Sequence, residues 1–137
     1  LGQCGTKLNN GIGKKIQSGV KMHQHLRVAR KLALRSNYNF RLGAVLIRGG
    51  SVISTGWNSV DHPEAPLYSE HAEESVLRKA RYRAEGGTLL VVRIRRDGGL
   101  AMAYPCDRCM RLIRSLKVKT VVYSTQEEEI AMKRIRY

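Results

Sequence analysis

Apolar residues recur along the chain with two periods, three-to-four and two, and the switches between them mark out a series of elements. From about Val20 to Ser36, Met22, Leu26, Ala29 and Ala33 fall on one face of a helix. Lys21, Arg27, Arg30, Lys31 and Arg35 lie largely on its other faces, and Asn37-Tyr38-Asn39 breaks it. Leu42–Ile47 and Val52–Trp57 read as two strands joined by a tight turn at Gly49-Gly50. Residues 58–69, with Pro63 and Pro66, read as a loop. Ser69 is the expected N-cap of a second helix, which runs to about Ala84 on a stripe of Ala72, Val76, Leu77 and Ala80. Gly86-Gly87 ends that helix, and Thr88–Ile94 has the unbroken apolar character of a buried strand. Asp97-Gly98-Gly99 turns the chain into a short return segment, Leu100–Tyr104. A third helix is expected from Pro105, with Cys109, Leu112, Ile113 and Leu116 inward. Val118–Tyr123 reads as a strand. A last short helix is expected after it, capped by Ser124 or Thr125, with Glu127–Glu129 at its positive end and Lys133, Arg134 and Arg136 at its negative end.

This order predicts a layered α/β sandwich forming a single domain over residues 20–137. The 137 residues suffice for one core, and a hydrophobic share of 42% excludes wholesale disorder. Residues 1–19, with Gly2, Gly5, Gly11, Gly13 and Gly19, read as a flexible basic arm. No run of 18 apolar residues and no charged-then-apolar leader with a small-residue cleavage site is visible, which argues against a membrane span and a secretory precursor. The three cysteines, Cys4, Cys106 and Cys109, are an odd number, which points away from a disulfide framework and toward the cytoplasm or another reducing compartment.

Charge changes the picture. The formal net charge is +14, and it is unevenly distributed. Residues 1–60 hold ten basic groups and no acid, whereas residues 61–137 hold 15 basic and 11 acidic groups, a net of +4. Such asymmetry points toward a polyanion, with a generic solvated Lys/Arg surface as the plainer reading.

Two short motifs carry candidate chemistry: His71-Ala72-Glu73 opens one helix, and Pro105-Cys106-Asp107-Arg108-Cys109 opens another. Separately each is weak. A Glu in a first helical turn often only complements the helix dipole, and Cys-x-x-Cys also serves as a redox pair. Together, one His and two Cys make a ligand set suited to zinc, and the i, i+3 cysteines share a helix face. Three protein ligands leave the fourth tetrahedral position to water, which is the arrangement of a catalytic rather than a structural zinc. Placement at two helix N-termini favours thiolate over thiol. His71 and Glu73 are two apart and do not share an ideal helical face, so the ion is expected off the helix end. Glu73 is the natural proton shuttle, taking a proton from water and handing it to a ring nitrogen and a leaving amine.

His-x-Glu followed by Pro-Cys-x-x-Cys resembles the signature of the zinc-dependent cytidine and deoxycytidylate deaminases, a superfamily that includes nucleoside, nucleotide and polynucleotide deaminases. Gly43-Ala-Val-Leu-Ile47, the hairpin, and Val52-Ile-Ser-Thr-Gly-Trp-Asn58 look like the two strands that precede the zinc helix there, so the resemblance covers about residues 20–137. It implies one Zn²⁺ per chain, held by His71, Cys106 and Cys109, with Glu73 as acid/base. It implies a three-layer α-β-α sandwich around a mixed sheet of about five strands. Only four strands are clear in the sequence, so the fifth is either Leu100–Tyr104 or lies beyond Tyr137. Asn58 is implied to contact the sugar or base, although it reads equally as a turn residue, and the Ala72 N–H to bond the base carbonyl. Relatives range from monomers to tetramers, so a homo-oligomer is among the expectations.

Cytosine is the expected base, because the Asp97-Gly98-Gly99 turn and return segment before Pro105 look more like the cytidine deaminases than the adenosine type; adenine in transfer RNA is the second reading. Ten uncompensated cations exceed the need of one phosphate, which leans the substrate from a free cytosine nucleotide toward single-stranded DNA or RNA. Lys14, Lys15, Lys21, Arg27, Arg30 and Lys31 are the candidate phosphate-binding cations. Tyr104 is the candidate substrate contact among the aromatics Tyr38, Phe40, Trp57, Tyr68 and Tyr104, which could stack bases or simply pack. Two other readings fit the motifs. One is a catalytically inactive, basic nucleic-acid-binding module with a structural zinc, in which Glu73 is dispensable. The other is a thiol redox protein that needs neither His71 nor Glu73.

Overall fold

A computed structural model of the chain describes residues 7–8, 19–60 and 69–136. In chain order the elements are β1 (Lys7–Leu8), α1 (Gly19–Ala33), β2 (Arg41–Arg48), β3 (Ser51–Trp57), β4 (Ser59–Val60), β5 (Ser69–Glu70), α2 (Ala72–Ala80), β6 (Thr88–Ile94), β7 (Leu100–Ala101), α3 (Asp107–Ser115), β8 (Thr120–Ser124) and β9 (Glu129–Arg134). The main sheet runs β1-β9-β8-β6-β2-β3, and β7 pairs with the end of β6. It is mixed: β6 and β8 are parallel, whereas β2–β3, β2–β6 and β8–β9 are antiparallel.

Alternation along the strands divides the core in two. Val45, Ile47, Leu90, Val92, Val122 and Ile130 face one side and pack against Leu26, Ala29, Leu32 and Ala33 of α1. Their neighbours Ala44, Leu46, Leu89, Val91 and Val121 face the other side and meet Val76 and Leu77 of α2 with Met110 and Ile113 of α3. The result is a three-layer α-β-α sandwich, as expected. The close seat of α1 depends on Gly43, because a Cβ there would fall against the Ala29 carbonyl and the Ala33 N–H. On the other face Ser54 Oγ donates to the Val76 carbonyl at 2.9 Å and locks α2 onto β3. Among the described residues, no helix is long and apolar enough to cross a membrane.

The C-terminal expectations are corrected. Residues 129–134 form a strand, not a helix, and β9 is the fifth long strand of the sheet. Thr125 Oγ1 does accept the Glu127 and Glu129 N–H groups at 3.4 and 3.3 Å, as a cap would. However, Glu128 takes a positive φ of 58° and the chain doubles back, so Thr125 closes a hairpin. Cross-strand pairing and burial of Ile130 outweigh the dipole-matched charge pattern. Leu100–Tyr104 contributes only the two-residue β7. The expected loop at 58–69 begins and ends in a small two-stranded pairing, β4 with β5, so Ser69 lies in a strand and His71 is the N-cap of α2. Beyond Ala80 the helix tightens to a 3₁₀ turn at Arg81–Ala84. Lys7–Leu8, within the expected arm, pair in parallel with β9. The rest of residues 1–18 lies outside the described residues.

Candidate metal centre

Two helix starts meet at the site. His71 caps α2 with extended backbone (φ −76°, ψ 153°), and Cys106 caps α3 in the same way (φ −70°, ψ 170°). A cap residue stands half outside the helix, so its side chain can leave the helix end. Cys109, one turn into α3, points to the same spot. His71 Nδ1 lies 3.2 Å from Cys109 Sγ and 3.8 Å from Cys106 Sγ, and the three ligand atoms all fall within 4.8 Å of one another. The ligands therefore converge off the helix ends, as the two-residue spacing of His71 and Glu73 implies.

Without a cation, the electrostatics of this cluster keep Cys109 as the neutral thiol. Burial, then the negative charge of Glu73 and Cys106, pushes the Cys109 thiol far above its ordinary range. A buried sulfur beside a second sulfur and an imidazole nitrogen becomes a stable thiolate only when a metal supplies the countercharge. One His nitrogen and two Cys sulfurs are the donor set of a three-ligand zinc site, so His71, Cys106 and Cys109 fit one Zn²⁺.

Glu73 is buried, with 4% of its surface exposed, and is not one of the three converging ligands. Desolvation raises its pKa to about 7; the bond from its own N–H opposes the shift, and the neighbouring charge of Glu74 adds to it. A carboxyl poised there can both take and give a proton near neutral pH. Ala72 is the first residue of α2, so its N–H has no acceptor within the helix.

Two residues absent from the sequence-based set tie the helix starts together. Glu74 Oε1 accepts the His71 N–H at 3.1 Å and an Arg108 N–H at 2.8 Å. Burial pulls Glu74 upward, but the His71 N–H and the charge and hydrogen bond of Arg108 outweigh it and hold the carboxyl below its ordinary range. The sequence signal is a carboxylate three residues after an N-cap, the spacing of a capping box. Ser124, expected only as a helix cap, is fully buried. It donates to the Ala101 carbonyl at 2.6 Å and accepts the Arg93 N–H at 3.0 Å, which fixes the segment leading to Tyr104 and Cys106.

A cavity of about 280 Å³ opens over the cluster. Asn58, His71, Ala72, Glu73, Tyr104 and Cys106 all line it, so the sequence-predicted chemistry and base contacts meet in one place. Phe40, Arg93 and Met102 line it too and were not foreseen as a group. Asn58 is buried and already committed: Oδ1 accepts the Leu42 N–H at 2.8 Å and Nδ2 donates to the Phe40 carbonyl. One amide hydrogen and one lone pair are left for a ligand. Tyr104 stands edge-on to Tyr123, ring centroids 5.0 Å apart. Trp57 instead sits under the Arg35 guanidinium at 5.3 Å. Arg27, Arg30 and Lys31 belong to α1, which packs on the sheet face opposite α2 and α3, and none of them lines the cavity. Lys21 falls within α1, and Lys14 and Lys15 lie outside the described residues.

The family model of the cytidine and deoxycytidylate deaminase zinc-binding region matches residues 20–125. No curated protein matches the sequence. Among solved structures, the chain is similar to the dCMP deaminase of cyanophage S-TIM5, with 22% identity, TM-score 0.63, and 83% of this chain and 86% of that one covered. The complex of that enzyme with dCMP and dUMP matches at 21% identity and TM-score 0.61, covering 79% and 81%. Cytidine deaminase from Burkholderia pseudomallei matches at 20% identity and TM-score 0.64, covering 82% and 91%.

Proposed function

Because the chain belongs to the cytidine and deoxycytidylate deaminase family defined by that zinc-binding region, we propose that it converts cytosine to uracil by hydrolysis, in a nucleotide or in single-stranded nucleic acid. One water is consumed and one ammonia released. The observation that carries this reading is the convergence of His71, Cys106 and Cys109 beside the buried carboxyl of Glu73, with His71, Glu73 and Cys106 lining one cavity. His71, Cys106 and Cys109 would hold the zinc, which when bound would supply Lewis-acid activation of a water. Glu73 would accept one proton of the attacking water and deliver it to the ring nitrogen, then accept the second proton from the same oxygen as the new carbonyl forms and pass it to the departing amine. The free N–H of Ala72 holds the base carbonyl, and the remaining capacity of Asn58 meets the sugar or base edge.

The similar cyanophage structure was solved in complex with dCMP and dUMP, which supports a cytosine nucleotide as the minimal substrate. The uncompensated cations of residues 1–60, among them Lys14, Lys15, Lys21, Arg27, Arg30 and Lys31, lean the reading toward a polynucleotide. The test is ammonia release from cytidine, deoxycytidine, CMP, dCMP and single-stranded DNA and RNA oligonucleotides, with Glu73→Ala as the control. Turnover of at least one cytosine compound, lost in the control, is expected. Oligonucleotide binding without ammonia from any compound leaves only a binding module with a structural zinc.

A further inference from the structure

Two further hollows adjoin the metal-site cavity, and each shares a different wall with it. The first is lined by Asn39, Phe40, Arg93, Ile94, Arg95 and Arg96, and meets the cavity through Phe40 and Arg93. The second is lined by Tyr104, Pro105, Asp107, Met110, Arg111 and Arg114, and meets it through Tyr104. The two hollows share no residue with each other. Each junction is an exposed aromatic ring, Phe40 at 52% and Tyr104 at 43%. Each hollow beyond the junction carries arginine.

The arginines divide into those already committed and those not. Arg93 lays its guanidinium over the Phe40 ring at 4.3 Å, which holds that ring at the junction. Arg95 bonds Asp97 at 3.2 Å and the Leu100 carbonyl at 3.0 Å, and lies 3.6 Å from Glu128. Arg96, Arg111 and Arg114 are exposed and take part in no ion pair among the described residues. Arg111 and Arg114 stand three apart on α3 and so share a face. Asp107 is the one acid in either hollow, leaving both net positive.

A mononucleotide presents its phosphate on one side of its base and needs one such hollow. A base within a strand has a phosphodiester on each side and a neighbouring base beyond it. We propose that the cavity is the centre of a single-strand track, with Arg96 on one side and Arg111 and Arg114 on the other binding the two flanking phosphates. Phe40 and Tyr104 stack the neighbouring bases, because base–aromatic stacking tolerates any sequence. The preferred substrate is therefore an internal cytosine of a single-stranded nucleic acid. This rests on the cytosine-deaminase reading and deepens it.

The experiment compares deoxycytidine, dCMP, the dinucleotides with cytosine in 5′ or 3′ position, and a trinucleotide with cytosine at its centre, each in deoxyribose and ribose form. Ammonia release gives kcat/KM, and anisotropy of fluorescently labelled trinucleotide gives Kd. The expected result is a trinucleotide kcat/KM at least about tenfold above that of dCMP, since the second flanking phosphate adds a charge-assisted hydrogen bond that dCMP lacks. Arg96→Gln should lower the ratio of dinucleotide to deoxycytidine kcat/KM for one dinucleotide, and Arg111→Gln with Arg114→Gln for the other, deoxycytidine having no phosphate for either hollow. Both variants should raise the trinucleotide Kd. Equal use of dCMP and trinucleotide, or arginine changes that leave both dinucleotides unaffected or lower the same one, overturns the track while leaving deamination standing. If no cytosine compound releases ammonia, the catalytic reading fails, and the Kd measurement alone then decides the track. The deoxyribose and ribose series separate DNA from RNA.

Discussion

Glu73 concentrates the chemistry into one side chain, and its burial makes two separate predictions. Glu73→Gln keeps the volume and loses the titrating group. Turnover should fall by about 10²–10⁴-fold, the usual weight of general acid–base catalysis, while metal content by elemental analysis stays at one per chain. Near-normal turnover would falsify the assigned role. The second prediction concerns the metal-free protein. Its folded state raises Glu73 from 4.5 to about 7, so between those values the native form binds a proton that the unfolded form has released. Stability from this group is then full below pH 4.5 and declines as pH rises to about 7, by about 3 kcal/mol in all. Urea midpoints of the apo protein across that range should show the decline, and Glu73→Gln should flatten it. The motif made Glu73 legible in the sequence. Its neighbour Glu74 was not, since a second carboxylate in a first helical turn looks like dipole compensation until Arg108 is seen across from it.

The starts of α2 and α3 do not hold each other by packing alone; Glu74 clamps them, one oxygen accepting from both the His71 backbone and Arg108. The clamp sets the spacing of ligands that lie on different helices, and groups behind metal ligands commonly govern affinity by 10–100-fold. Glu74→Ala should therefore weaken zinc binding by about tenfold in chelator competition. It should also cost about 1 kcal/mol of stability, a modest figure because the Arg108 side chain is 56% exposed. Arg108→Lys keeps the charge but not the fork, and should recover the stability better than the zinc affinity. Unchanged zinc affinity in Glu74→Ala would mean that packing of the two helices alone sets the ligands. At this level the sequence was informative where periodicity was strong: α1, the β2–β3 hairpin and β6 fell where the apolar pattern put them. It was misleading where a local signal competed with a long-range one. Residues 124–136 carry a hydroxyl cap and charges sorted for a helix, yet pairing with β8 makes Glu129–Arg134 a strand, and no local pattern records the partner.

Two groups of cations among the described residues lie on different sides of the sheet and have different consequences. Arg27, Arg30 and Lys31 lie on α1, on the sheet face away from the metal centre, whereas Arg96, Arg111 and Arg114 border it. The charge asymmetry of the sequence pointed at the first population; the second was invisible there, because Arg96, Arg111 and Arg114 sit in the half of the chain whose charge is nearly balanced. Distant charges act through the long-range field, which raises encounter rate and is screened over about 8–10 Å at ordinary ionic strength. Charges that touch the strand release its counterions and set the slope of affinity against salt. Neutralising Arg27, Arg30 and Lys31 of α1 should thus slow association with an oligonucleotide of about a dozen bases, long enough to occupy an extended basic track. It should leave zinc content and the trinucleotide Kd as they were. Neutralising Arg96, Arg111 and Arg114 should do the reverse: the salt slope for the trinucleotide should flatten by about 0.7 for each phosphate that no longer meets an arginine. Stopped-flow association rates and salt titrations of both variants check this. A trinucleotide Kd that weakens with the α1 set and not with the three arginines would put the strand on the opposite face of the sheet.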